Sequence, residues 1–278
     1  MEYLILPRLV IQRANALSTP WSVTMTPIFA CTMFAHALGL DTNTKPVATA
    51  IIHHDAQLLS DEIEYGIHPQ QYRGATYMDD ADYSSKNKYA LSLQPTVSMH
   101  MELSLILLFP DAAPSIKKAV SSLHKRRIAG GLILDHGELM SVDSFDQAMR
   151  FLSGGFFITD RSDELKNDRL GRIETLLALV NDPVDNEKKR RWLSPAVTGY
   201  AATTGFKQRQ GVRENRLHAF VEPLVGLTEY VSVAEQKKLS LDEKLTGAYF
   251  WREKWLPNDV VVVQADSVVQ FQKEYENE

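Results

Sequence analysis

The sequence predicts an α+β fold from three observations. Apolar, strand-like runs at residues 3–14, 47–52 and 97–109 are separated by helical periodicity at 26–38 and 114–128, and polar or glycine-bearing breaks stand at the junctions. With a short strand at 132–134, the resulting order, strand, helix, strand, strand, helix, strand, is that of a ferredoxin-like core, in which helices cover one face of an antiparallel sheet. A chain of 278 residues with 44% hydrophobic content can bury a sizeable core, as one large domain or one domain with an appended lobe.

The first strand is dense in β-branched and aliphatic residues, with polar side chains entering at Arg8, Gln12 and Arg13, the pattern of a strand buried along most of its length. Asn15, Ser18 and Pro20 supply turn chemistry. Thr26-Pro27 reads as the N-cap and first-turn proline of a helix through Ile28, Cys31, Ala35 and Leu38, which Gly39 is expected to close. A second strand at 47–52 carries His53, His54 and Asp55 at its end. From about 60 to 95 the composition changes. Gly66, Pro69 and Gly74, the acids Asp79, Asp80 and Asp82, and the tyrosines Tyr65, Tyr72, Tyr77, Tyr83 and Tyr89 describe an inserted arm, packed on its own domain or on a neighbour.

Residues 97–109 place Val97, Met99, Met101, Leu103 and Leu105 on one parity and Ser98, His100, Glu102 and Ser104 on the other, until the run turns wholly apolar. That is a half-covered strand. The helix expected at 114–128 ends in Lys125-Arg126-Arg127, a basic last turn suited to the helix dipole, before Ala129-Gly130-Gly131. Short strands are expected at 132–134 and 156–158, and a helix at 163–180 that Pro183 breaks. Residues 1–180 thus read as the core with its arm, and 181–278 as a C-terminal basic α/β lobe.

A net charge of -5 argues against a free-standing nucleic-acid binder, yet a local basic face can still meet phosphate. Positive charge gathers between Lys188 and Arg216, at Lys207, Arg209 and Arg213 among Gly205, Gly211, Tyr200 and Phe206; such a run also describes a solvated loop. One cysteine, Cys31, excludes an internal disulfide and a Cys-based metal site. The apolar start is too short for a membrane span and has no basic leader, so a cytoplasmic chain with no membrane partner is expected.

Gln12, Arg13, Asn15, Ser18 and Thr19 crowd donors and acceptors at the end of a buried strand. They can hold a ligand, or Asn15 and Ser18 can satisfy the turn's own backbone. Gly130 and Gly131 permit close approach to a sugar-phosphate chain, beside the cations Arg126 and Arg127. The candidate ligand- and phosphate-binding set is therefore Arg8, Gln12, Arg13, Asn15, Ser18, Arg126, Arg127, Gly130, Gly131, Lys207, Arg209 and Arg213.

Residues 6–18, Leu-Pro-Arg-Leu-Val-Ile-Gln-Arg-Ala-Asn-Ala-Leu-Ser, together with Phe34-Ala35-His36-Ala37-Leu38, resemble the opening of the Csy-two family, the Cas-five-like subunit of type I-F CRISPR surveillance complexes. The likeness recurs in order at Ile52-His53-His54, at His100-Met101-Glu102-Leu103-Ser104-Leu105, at Arg127-Ile128-Ala129-Gly130-Gly131, at Trp192-Leu193-Ser194-Pro195 with Gly199-Tyr200, and at Phe220-Val221-Glu222 through to Glu229-Tyr230. No single block is specific; their order is. The stretch between Arg161 and Lys188 is shortened against the family pattern, and Met33 stands where the family tends to have glycine, which suggests a compact variant. The resemblance implies a ferredoxin-like, RNA-recognition-motif core of the RAMP type. It also implies a non-catalytic subunit that caps the five-prime handle of the crRNA and contacts the large subunit and the first backbone subunit, near the protospacer-adjacent motif of the target double-stranded DNA. No cofactor is implied.

An enzymatic alternative is a metal-independent crRNA-processing endoribonuclease, with His54 or His100 as base beside Arg8, Arg13 or Arg127. Metal chemistry is disfavoured. Adjacent His53 and His54 on a strand point to opposite faces, and His36, His68 and His100 follow no ligand spacing. A third possibility is an interaction protein that joins other subunits through its arm without touching RNA.

Overall fold

The computed structural model describes residues 1–19, 22–63, 66–69, 72–73, 83–84, 87–91, 93–94, 97–166, 171–181, 191–208 and 216–276. The fold is α+β, with seven α-helices among the described residues and a large antiparallel sheet. The sheet comprises β1 (Glu2–Asn15), β2 (Ala48–Leu58), β3 (Ser98–Phe109), β4 (Arg127–Ile128), β5 (Gly131–Asp135), β6 (Met140–Val142), β7 (Phe156–Asp160), β8 (Leu193–Ala202), β9 (Val221–Ser232), β10 (Phe250–Leu256) and β11 (Val260–Asp266). Its order is β4-β5-β1-β3-β2-β7-β9-β8-β11-β10, with β6 pairing β1.

The chemistry of β1 changes halfway along. Tyr3, Leu4, Ile5 and Leu6 are all buried because both faces of the sheet are covered there. Leu4 and Leu6 pack with Ile28, Cys31 and Leu38 of α1 (Ile28–Thr42) and Ala119 and Leu123 of α2 (Ile116–Leu123). Tyr3 and Ile5 pack on the opposite side with Phe145 and Met149 of α3 (Phe145–Phe151) and Phe271 of the C-terminal helix (Val268–Glu276). Beyond a register shift between Leu6 and Leu9, only Leu9, Ile11 and Ala14 stay buried, while Arg8, Val10 and Gln12 face outward. β3 shows the same change in reverse, half-covered through Glu102 and buried on both parities from Leu103.

Helix ends differ from the sequence reading, and the helix expected at 163–180 is described as a 3-10 turn over Ser162–Leu165 and a helix over Arg172–Asn181. α1 runs past Gly39 to Thr42, because Asn43 takes the left-handed position at φ 56° that ends it, as a short amide side chain allows. Gly39 is a packing site, where an added Cβ would lie 2.7 Å from Pro46 Cδ. α2 stops at Leu123, so Lys125, Arg126 and Arg127 form no helical last turn. The chain instead turns at Ala129 (φ 48°) and Gly130 (φ 75°) into a β4–β5 hairpin that docks beside β1, with Gln12 opposite Leu132.

Strands after residue 155 continue the sheet. β7 and β10 share one edge of β2, Phe156 opposite His53 and Phe250 opposite Ala50, so β2, β7, β9, β8, β11 and β10 close a circuit of six strands. Trp251 is fully buried where β7 and β10 part, and its indole N–H donates to the Ile158 carbonyl at 2.8 Å. Of the expected arm, the backbone is described as paired strands Ser60–Ile63 with Gly66–Pro69, Tyr72–Arg73 with Leu93–Gln94, and Tyr83–Ser84 with Asn87–Leu91. Its side chains, and Lys188 to Arg190, Arg209 and Arg213, lie outside the described residues.

Candidate nucleic-acid interface

Where β1 leaves the core, its second register shift falls between Ile11 and Ala14 and sets Arg13 at φ 56°. A β-branched-free side chain in the left-handed region still costs about 1 kcal/mol or more. The bulge is what holds it there, and Arg13 N–H donates to His100 Nδ1 at 3.4 Å. The next residues are tied down in turn: Asn15 N–H donates to the Ala129 carbonyl and Ala16 N–H to the Val97 carbonyl, both at 2.8 Å. The loop is thus fixed to the hairpin on one side and to the start of β3 on the other.

Asn15 and Ser18 use their side chains locally. Asn15 Nδ2 donates to the Leu17 carbonyl while its Oδ1 accepts from Leu17 N–H, and Ser18 Oγ donates to the Ser22 carbonyl. Leu17–Thr19 and Ser22–Val23 pair as a small hairpin where the sequence suggests only a turn. The two glycines differ. An added Cβ at Gly131 would lie 2.6 Å from Ile11 Cγ2 and 2.8 Å from Ala14 N, so its absence lets β5 close on β1. At Gly130 an added Cβ meets nothing within 4 Å, leaving its backbone open to a ligand.

Asn15, Ser18, Ala129 and Gly130 form one wall of a cleft of about 300 Å³. The opposite wall is the first turn of α1, Pro27 to Ala30, with Tyr200 and Phe29, whose rings meet edge to face at 4.9 Å. Sequence reasoning missed this wall because Thr26 reads as a helix cap. Its hydroxyl instead pairs with the Tyr230 hydroxyl at 2.7 Å, and Pro27 occupies the N-cap position with no side chain capping the helix. Pro27 has no N–H and Ile28 N–H donates to the Thr26 carbonyl at 2.9 Å, so Phe29 and Ala30 carry the first-turn amides that lack an intrahelical acceptor, at the positive pole of the dipole beside the cleft. No acidic residue lies in that turn, and among the described residues no lining side chain of the cleft is acidic.

The remaining candidates are dispersed. Arg127 is exposed at the hairpin and donates to the Gly130 carbonyl at 3.2 Å, beside the cleft. Arg126 is held by Asp41 of α1 through Nε at 2.8 Å and Nη2 at 2.5 Å. The guanidinium, with Ser122 Oγ, holds the Asp41 carboxyl down at about 2. Arg8, at φ 51° in the first bulge, lies on the uncovered face, bonded to Glu102 at 2.7 Å and to Ser153 Oγ at 2.9 Å. Gln12 faces that same side, and Lys207 sits on the β8–β9 extension, its backbone paired with His218. Arg191 is committed to Glu164 and Glu229, which also takes Arg161.

The histidines do not form an obvious reaction centre. Burial, then the Arg8 charge, pushes His54 down to about 4, and its Nε2 meets Ser104 Oγ at 2.7 Å. Among the described residues no three His, Cys, Asp or Glu side chains gather as metal ligands. No described helix is long and apolar enough to cross a membrane.

Comparison with curated proteins gives no match. The family model described as CRISPR-associated protein (Cas_Csy2) matches residues 4–255, a span running from β1 through β10 and containing both walls of the cleft. The chain belongs to the Csy2 family of CRISPR-associated proteins.

Proposed function

We propose that this chain is a non-catalytic, cytoplasmic, RNA-binding subunit of a type I-F CRISPR surveillance complex, and that it caps the five-prime handle of the crRNA beside the large subunit and the first backbone subunit. On this reading it also lies near the protospacer-adjacent motif of the target duplex. The order β5-β1-β3-β2 within the run β1, α1, β2, β3, α2, β5 supports reading the core as ferredoxin-like, of the RNA-recognition-motif type.

The observation that carries the proposal is the cleft between the uncapped start of α1 and the Ala129–Gly130 turn. It combines the amides of Phe29 and Ala30 as donors for phosphate, an open glycine, aromatic rings at Phe29 and Tyr200, and no carboxylate among the described lining residues. Those are the needs of a single-stranded sugar-phosphate chain with splayed bases. The cavity at the sheet's uncovered face, by contrast, is lined by Asp55 and Glu102, which repel phosphate. A cleaving role for His54 finds less support, because a histidine held near 4 is a weak base at neutral pH.

The test is titration of handle RNA against the assembled complex over a range of salt. Arg127→Ala should lower affinity and flatten the salt slope by about one unit. Wild-type binding by folded Arg127→Ala and Gly130→Val variants together would place the RNA elsewhere.

A further inference from the structure

A recess of about 360 Å³ lies on the side of the sheet opposite the cleft, where α3 meets the short helices Val233–Gln236 and Leu241–Thr246. It is lined by Asp146, Met149, Arg150, Lys237 and Lys244. Asp146 Oδ2 accepts from Arg150 Nη2 at 2.7 Å, and its Oδ1 accepts from Lys244 Nζ at 3.0 Å. Lys237 Nζ donates to the Leu152 carbonyl at 2.6 Å. Three cations therefore surround one carboxylate, and each carries N–H groups beyond those bonds, two on either ammonium and the Nη1 group of Arg150. The Arg150 side chain is 76% exposed, and Lys237 is exposed beside it at the rim.

Resting on the reading that this chain works inside a nucleoprotein assembly, we propose that the recess holds one phosphate of a nucleic-acid backbone, at a contact separate from the cleft. A phosphodiester offers two unesterified oxygens that share a charge. Arg150 and Lys237 can donate to both while Lys244 stays with Asp146. A protein segment fits less well, because protein interfaces are built around exposed apolar and aromatic anchors. Met149, the one apolar side chain among the described lining residues, is 1% exposed. Glu235 and Asp242 lie on the same short helices outside the lining, and Glu243 is turned to Ser240, whose amide it accepts at 2.8 Å. Target duplex and guide RNA both carry the phosphate the recess would take. The two contacts can be lost one at a time, since α3 packs on Tyr3 and Ile5 and α1 on Leu4 and Leu6, on opposite sides of the sheet.

The experiment titrates the assembled complex with a short DNA duplex, and the full chain with guide RNA, each over a range of salt. The variants are Arg150→Ala, Arg150→Ala combined with Lys237→Ala, and Asp146→Asn, with circular dichroism to check folding. One of the two titrations is expected to weaken about threefold in Arg150→Ala and further in the double variant, which should lose about one unit of salt slope, the share of one phosphate. The titration that moves names the source of the phosphate. Asp146→Asn keeps an acceptor for Lys244 while removing the negative charge, and it should tighten that same titration about twofold. An Asp146→Asn variant that binds no tighter than wild type would overturn the site, because the ion pairs would then act only through the fold. Folded arginine and lysine variants that match wild type in both titrations at every salt concentration would overturn it too. So would loss of a protein subunit from the double variant with both salt slopes unchanged, which would make the recess a dock for an acidic segment. The expected effects should persist in a Gly130→Val background, so a failure of the cleft and a failure of the recess are told apart.

Discussion

The backbone amide of Asn15 donates to the carbonyl of Ala129 across 2.8 Å, fastening the end of the first strand to the turn of the β4–β5 hairpin. Because Gly131 lets that hairpin lie directly on Ile11 and Ala14, the bulged end of β1 and the open glycine at 130 are packed against one another. Adjacent glycines therefore have separable roles. Gly131→Val should destabilise the fold by about 2–3 kcal/mol through overpacking. Gly130→Val should leave the fold within roughly 1–2 kcal/mol of wild type, the left-handed strain alone, yet weaken RNA binding. Urea unfolding of both variants, beside RNA titrations, checks this pair.

The neighbouring arginines should separate in the same manner. Arg126→Ala removes a bidentate partner of Asp41, an exposed pair that screening limits to about 0.5–1 kcal/mol. The Asp41 pKa is depressed in the folded chain, so this contribution is fully present above the ordinary value of 3.8 and is lost as pH falls through about 2. The stability difference between wild type and Arg126→Ala should therefore shrink between pH 4 and pH 2 in denaturant melts. Arg127→Ala should show no such pH dependence but a shallower salt slope in RNA binding.

Much of the α+β order was legible because β1, α1, β2 and β3 are strongly apolar runs bounded by polar or turn-forming residues, and the half-covered face of β3 follows directly from its parity. The α1 N-terminus was not, since Thr26 has the side chain of a cap and its diversion to Tyr230 depends on β9, some 200 residues away in sequence. Of the hairpin at Ala129–Gly130, the strand expected at 132–134 is present as Gly131–Asp135, but its partner Arg127–Ile128 was hidden. A run of Lys125-Arg126-Arg127 suits a helix end, and only the pairing of β5 with β1 draws it into a strand. For Arg8 and Arg126, sequence reveals charge but not that Glu102 and Asp41 already engage it.

Trp251 should be the most costly single core residue to remove from the six-strand circuit. Trp251→Phe loses the hydrogen bond to Ile158, at about 1–2 kcal/mol with the accompanying change of volume. Trp251→Ala should cost about 3–5 kcal/mol. Thermal melts followed by near-ultraviolet circular dichroism measure both.

His54 should titrate near pH 4 and remain neutral through the physiological range. Its ring resonances in a carbon-13 NMR titration should stay unshifted from pH 8 to about pH 5.5. His54→Ala should leave crRNA length unchanged in cells. A cleavage product that disappears in this variant alone would revive the endoribonuclease reading.

The central claim is that handle RNA occupies the cleft between the start of α1 and the Ala129–Gly130 turn. Assembling the complex on crRNA carrying 4-thiouridine in the handle, followed by irradiation and mass spectrometry, tests it most directly. The account predicts crosslinks at Phe29, Tyr200 or the 127–131 hairpin, lost in Gly130→Val. Crosslinks confined to His100, Glu102 and Leu134 on the uncovered sheet face, or to the lobe carrying Lys207, with none at the cleft, would contradict it.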